Sequence, residues 1–159
     1  MGQNIESFSR ALKNKGFTIS PDNEYYDLGT RVFEGYFFDE RSKVFVLYEK
    51  PKELRNVYTV AVQIKGSSKD YLQRLGNKIQ EIIENKYFYN YHYLDENSSI
   101  KLPCEYNIYN SKDEEDVIPV GRISIDVSYS ETESCYELTI FYKDFMLCAL
   151  NEMGKELDV

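Results

Sequence analysis

Ser67-Ser68-Lys69-Asp70-Tyr71-Leu72-Gln73-Arg74-Leu75-Gly76-Asn77-Lys78-Ile79-Gln80-Glu81-Ile82-Ile83-Glu84-Asn85-Lys86 decides the fold. Leu72, Leu75, Ile79, Ile82 and Ile83 recur at three- and four-residue spacing, so they share one face of a helix. Gln73, Arg74, Asn77, Lys78, Gln80, Glu81, Glu84 and Asn85 fall on the rest and read as a solvated face. Ser67-x-x-Asp70 is a weak capping-box pattern at its start. Gly76 costs a helix about 1 kcal/mol against Ala, which predicts a close approach of helix to sheet at that turn. A helix of this kind needs an apolar surface, and the three strands just before it are the expected one.

Those strands read as Arg31–Phe38, Lys43–Tyr48 and Val57–Lys65. In the first, Phe33, Gly35 and Phe37 alternate against Val32, Glu34, Tyr36 and Phe38. The second is apolar apart from its ends and is expected to be central. In the third, Tyr58, Val60, Val62 and Ile64 alternate against Val57, Thr59, Ala61 and Gln63. Asp39-Glu40-Arg41-Ser42 is the predicted turn between the first two. Short connections make the three an antiparallel meander.

Outward from this block, Asn4–Lys15 predicts a first helix with Ile5, Phe8 and Leu12 as its stripe and Gly16 as its stop. Thr18-Ile19 reads as briefly extended. Tyr87-Phe88-Tyr89-Asn90-Tyr91-His92-Tyr93-Leu94 is either an extended segment or an aromatic loop. Glu105–Tyr109 is a short strand, and Gly121–Tyr129 and Cys135–Tyr142 form a hairpin expected to continue the sheet. Phe145–Met153 fits a short terminal helix. Strand runs separated by helices give the α+β class: an antiparallel sheet of about five to six strands, packed by an N-terminal and a central amphipathic helix.

The chain has 159 residues, and one domain over 1–159 is the expectation. Fifteen Tyr and nine Phe accompany no Trp, a bias that suits strands. The net charge of −8 argues against nucleic acid and against an anionic membrane surface. No apolar stretch reaches membrane-spanning length, so no membrane insertion is expected. Met1-Gly2-Gln3-Asn4-Ile5-Glu6 carries no secretory signature, so the location is cytoplasmic if Met1 is the natural start. Within the polar segment 95–119, seven acidic residues face two lysines, making an acidic loop.

Catalytic chemistry is sparse. One histidine, His92, leaves no His-based triad or multi-His metal site. Asp113-Glu114-Glu115-Asp116 lacks the alternating spacing and turn glycine of a calcium loop. Glu34, Glu105, Asp126 and Asp144 are not brought together by any spacing. Cys104, Cys135 and Cys148 are unpaired in pattern and have no adjacent base, so they read as small hydrophobes. No phosphate-binding loop or cofactor motif occurs, and no cofactor is expected.

Several landmarks occur in a set order: Phe8-x3-Leu12-x3-Gly16-Phe17, Phe33-x-Gly35-Tyr36-Phe37, Val44-x-Val46, Val57-Tyr58-x-Val60-x-Val62, Leu72-x2-Leu75, Lys86-Tyr87, Gly121-x-Ile123-x-Ile125 and Ile140-x-Tyr142-x-Asp144. In these the chain resembles the small α+β proteins of unknown function abundant in gut Bacteroidetes. There Lys-Tyr is usually followed by Gly, whereas Phe88 stands here. The resemblance implies one α+β domain and carries no activity. Element order alone also resembles type III secretion chaperones, by analogy of fold only.

The expected function is therefore a non-enzymatic binding module that meets a basic protein partner. Its candidate surface is Tyr87, Tyr89, Tyr91, His92 and Tyr93, with Asp113, Glu114, Glu115 and Asp116. Tyrosine supplies contact area at low entropy cost, and the acidic loop steers a basic partner. A secretion chaperone or immunity-type inhibitor is the specialised form of this reading. A carboxylate- or metal-dependent enzyme is the alternative class.

Overall fold

The computed structural model describes residues 4–21, 29–49, 55–86, 88–93, 102–109 and 120–144. In chain order they form α1 (Ile5–Asn14), β1 (Thr18–Ile19), β2 (Thr30–Phe37), β3 (Glu40–Tyr48), β4 (Val57–Gly66), α2 (Lys69–Lys86), β5 (Phe88–Tyr93), β6 (Cys104–Tyr109), β7 (Gly121–Ser130) and β8 (Cys135–Asp144). The chain divides into two compact units, Met1–Val62 with Lys143–Val159, and Gln63–Tyr142. The α+β class with antiparallel pairing holds. The strand count exceeds the expected five to six: seven strands of six residues or more, plus the two-residue β1. The additions are β1 and the tyrosine run, which is extended. The terminal helix expected at Phe145–Met153 lies outside the described residues.

In the first unit the strand order is β1, β2, β3, β4. Asn4 caps α1, its side chain accepting a hydrogen bond from the Glu6 N–H at 2.8 Å. At the other end Gly16 takes φ +93°. The Phe17 N–H returns to the Leu12 carbonyl at 3.0 Å and the Gly16 N–H to Lys13 at 3.0 Å. This pair of bonds closes the helix and needs a left-handed residue, which glycine supplies without strain. The β2–β3 register pairs Phe33 with Val44 and Arg31 with Val46. One face of the hairpin therefore presents Phe33, Val44, Val46 and Tyr48, which pack with Ile5, Phe17 and Val57. Phe8 and Leu12 join this core half-buried.

Among these apolar groups lies Arg31, only 4% exposed. Its guanidinium donates to Glu6 at 2.7 Å and to Ser9 at 3.1 Å and lies 5.5 Å from the Tyr48 ring centroid. A buried charge is tolerated only when paired and hydrogen-bonded. The Arg31 hydrogen bond holds the Glu6 carboxyl below its usual value, with charge attraction from Arg31 and Arg55 adding to it. A depressed carboxyl pKa contributes stability above the unfolded value near 4.5, and that stability is lost as pH falls through the folded value. Glu6→Gln is therefore expected to lower the melting temperature at neutral pH. The gap to the unmutated protein should close below about pH 4.5, and a melting series from pH 7 to pH 3 measures it.

The β2–β3 turn differs from the expected Asp39–Ser42. Phe37 pairs with Glu40, which leaves a two-residue loop of Phe38 and Asp39 at φ 53° and 61°. Both residues are left-handed, the geometry that matches strand twist and favours Asn-Gly. Phe38 is kept there by edge contact with Phe37, at 4.8 Å between centroids. Asp39→Gly relieves a left-handed residue without touching that contact. It should raise stability by about 0.5 kcal/mol, read from a urea midpoint at constant slope.

In the second unit the strand order is β4, β8, β7, β6, β5. The hairpin β7–β8 thus does continue the sheet, beside β4. Helix α2 lies against β7, not on the preceding meander as expected. The Phe33–Val44–Val46 face of that meander is already taken by α1. Ser68, not Ser67, caps α2, accepting from the Tyr71 N–H at 3.2 Å. Gly76 is the point of closest approach: a Cβ there would lie 2.7 Å from Leu102 Cδ1, 3.4 Å from Leu138 and 3.6 Å from Ile125. Positions three, four and seven residues from Gly76 are consequently buried. They include Leu72, Ile79 and Ile83 as expected, and also Gln73 and Gln80, expected in solvent. Ile82, placed on the apolar stripe by spacing, is 46% exposed. It is six residues from Gly76 and so turned away from the contact.

Candidate interaction surface

The tyrosine run becomes β5, paired antiparallel with β6. Tyr89 sits opposite Ile108, Tyr91 opposite Tyr106, His92 opposite Glu105 and Tyr93 opposite Cys104. β6 pairs on its other side with β7, Cys104 facing Ile125. Among the described residues β5 ends the strand order and has no strand on its outer side. Such a strand presents a row of backbone donors and acceptors to an incoming chain. Tyr87 and Asp113, Glu114, Glu115 and Asp116 lie outside the described residues. The flanks of the acidic segment are nonetheless fixed: Tyr109 is opposite Phe88, and the Val120 N–H bonds the Ile108 carbonyl at 2.8 Å. The acidic segment therefore leaves and re-enters the sheet at the corner where β5 begins.

The described residues carry as many basic as acidic side chains, so the net charge of −8 resides in the remaining segments, Asp113–Asp116 among them.

Beneath this edge, α2 and β6 share a polar seam. Tyr106, fully buried, donates its hydroxyl to Glu84 at 3.2 Å, and Gln80 donates to the Cys104 sulfur at 3.1 Å. Burial pushes both the Cys104 thiol and the Tyr106 hydroxyl above their usual values, so both stay protonated. A buried, neutral thiol does not act as a nucleophile, in line with its expected role as a small hydrophobe.

Three acidic or thiol groups on one side of β8 were not anticipated. Glu133, Cys135 and Glu137 bring their ligand atoms within 4.8 Å of one another. Period-two alternation already puts Cys135 and Glu137 on one face of a strand; the turn residue Glu133 completes the group. Lys65 pairs with Glu133, and Gln63 donates to Glu137 at 3.1 Å. Cys135 thus does have carboxylates beside it, contrary to expectation. An electropositive setting is what activates a cysteine, and this setting is acidic, with its one lysine engaged. Cys104 and Cys135 are free thiols, and Cys148 lies outside the described residues. Of the four separated carboxylates, Glu34 accepts from Ser20 at 3.2 Å and faces Lys43 at 3.9 Å. Glu105 faces Arg122 at 3.8 Å.

No helix of the described residues is long and apolar enough to cross a membrane. Comparison with protein-family models, with curated proteins and with solved structures found no match to this chain.

Proposed function

We propose that the protein is a non-enzymatic binding module that receives an extended, basic segment of another protein along β5. The observation that carries this is the shared corner of two features far apart in sequence. The strand bearing Tyr89, Tyr91, His92 and Tyr93 ends the strand order of its unit, and the segment bearing Asp113–Asp116 is tied to its first residue through Tyr109. An added strand draws affinity from main-chain hydrogen bonds and specificity from alternate side chains. Tyrosine suits such a contact because it buries a large area and orders few torsions. Like charges repel acidic partners from the same corner, and opposite charge speeds encounter with basic ones.

The test is site-specific photocrosslinking in a native lysate, with the crosslinker at Tyr91 and, as a control, at the exposed Tyr36 of β2. A protein captured at Tyr91 alone is then purified and its affinity measured at two salt concentrations. The expected result is a saturable complex that weakens with salt. Neutralising Asp113–Asp116 to Asn and Gln should slow association about tenfold. Identical crosslinks from both positions, or a complex indifferent to both salt and neutralisation, would count against the proposal.

A further inference from the structure

The polar face of α2 is not uniformly solvated. Asp70, Gln73, Arg74 and Asn77 follow one another at three- and four-residue spacing and line a shallow groove. Gln73 is 8% exposed, and its amide oxygen is buried with no donor in reach. An acceptor held out of water without a partner is destabilising, and such groups mark places where something is missing. Asp70 and Arg74 stand four residues apart in the order that normally closes an ion pair along a helix. The two side chains form none with each other. Arg74 instead turns its Nε–H to the Asp70 backbone carbonyl at 3.4 Å, which leaves the Asp70 carboxylate unengaged.

We propose that this groove binds a small zwitterion, with a free α-amino acid as the fitting class. The ammonium group goes to Asp70 and the carboxylate to Arg74, whose side chains start about 6 Å apart along the axis. Gln73 and Asn77 supply the neutral hydrogen bonds; the amide of Asn77 both donates and accepts. A polyanion is disfavoured because the single guanidinium has a carboxylate beside it. An apolar ligand would leave all four polar groups desolvated and unmet. This site is separate from β5 and stands whether or not the protein binds there.

The experiment is a thermal-shift and calorimetric screen of the full chain against the individual amino acids, with ethylamine and acetate as single-charge controls. One or a few amino acids should raise the melting temperature by about 5 °C at a hundredfold excess over Kd, and neither control should. Asp70→Asn and Arg74→Gln, both on the exposed side of the helix, should fold and lose the shift. Gln73→Met should also lose it while raising the melting temperature of the ligand-free protein, since it removes the unmet acceptor. If no amino acid shifts the unmutated protein and Gln73→Met still stabilises it, the orphaned amide is a packing feature and the proposal fails. A shift that survives in both Asp70→Asn and Arg74→Gln overturns it equally, because the ligand then sits elsewhere.

Discussion

Gly35→Ala is expected to cost about 3 kcal/mol and to lower the melting temperature by roughly 6–12 °C. A Cβ at Gly35 would stand 2.4 Å from Phe17 Cδ1 and 2.8 Å from both Cγ and Cε1. The obstacle is the flat of a ring, not the free end of a flexible chain. Phe17 cannot swing away, because its N–H is tied to the Leu12 carbonyl in the cap that ends α1 and its ring sits in the core with Ile5 and Phe33. The two residues therefore act as a unit. Phe17→Leu alone should cost about 1–2 kcal/mol for lost packing. Combined with Gly35→Ala it should cost less than the sum of the two, because leucine vacates the space that the new methyl needs. Urea melts of the four proteins give this coupling directly. Additive costs would mean that Gly35 and Phe17 do not touch.

Gly76→Val should be at least as damaging, at about 3 kcal/mol or more. At an exposed helix position, replacing glycine gains stability because the unfolded chain loses freedom. Here the first added carbon meets Leu102 at 2.7 Å, with Leu138 and Ile125 behind it, so two further methyl groups have no room. Gly76→Ala separates the two effects. Its gain of about 1 kcal/mol in helix propensity is spent displacing one Leu102 methyl, and the net change should be near zero or unfavourable. A clear stabilisation by Ala, or a neutral Val, would show that α2 does not approach the sheet at this turn. Both variants can be followed by thermal melts and by the near-ultraviolet signal of the tyrosines.

Much of this was legible in the residues themselves. The α1 cap, the Gly16 stop and the Phe33 face of β2 follow from short-range rules, because each depends on neighbours within a turn or a pleat. Gly76 was legible as a close approach, since a costly residue inside a strong helix asks for a packing reason. What it approaches was not legible. Amphipathicity says that a helix has an apolar face and is silent on which sheet receives it. That choice depends on α1 having covered the Phe33–Val44 face first. The same ignorance misplaced Ile82 and the two glutamines, since the contact axis runs through Gly76 and not through the mean of the apolar side chains. The Phe38–Asp39 turn was hidden because a bulky aromatic occupies a left-handed position that turn chemistry reserves for Asn or Gly.

For the candidate surface, composition alone singled out the tyrosine run and the acidic segment. It could not choose between strand and loop, because every residue in the run is aromatic or polar and no alternation shows. The pairing with β6 is long-range information, and it is what brings the two features to one corner. Glu133, Cys135 and Glu137 escaped notice for the opposite reason. Their alternation was visible, but a turn residue has no face until the hairpin is built.

The most direct measurement is amide hydrogen exchange on β5 with and without the protein captured at Tyr91. If a partner adds a strand at this edge, the outward-facing amides of Phe88–Tyr93 should exchange more slowly in the complex by about tenfold or more, while those of α1 keep their free rates. Protection confined to other elements, with β5 exchanging as in the free protein, would contradict the account.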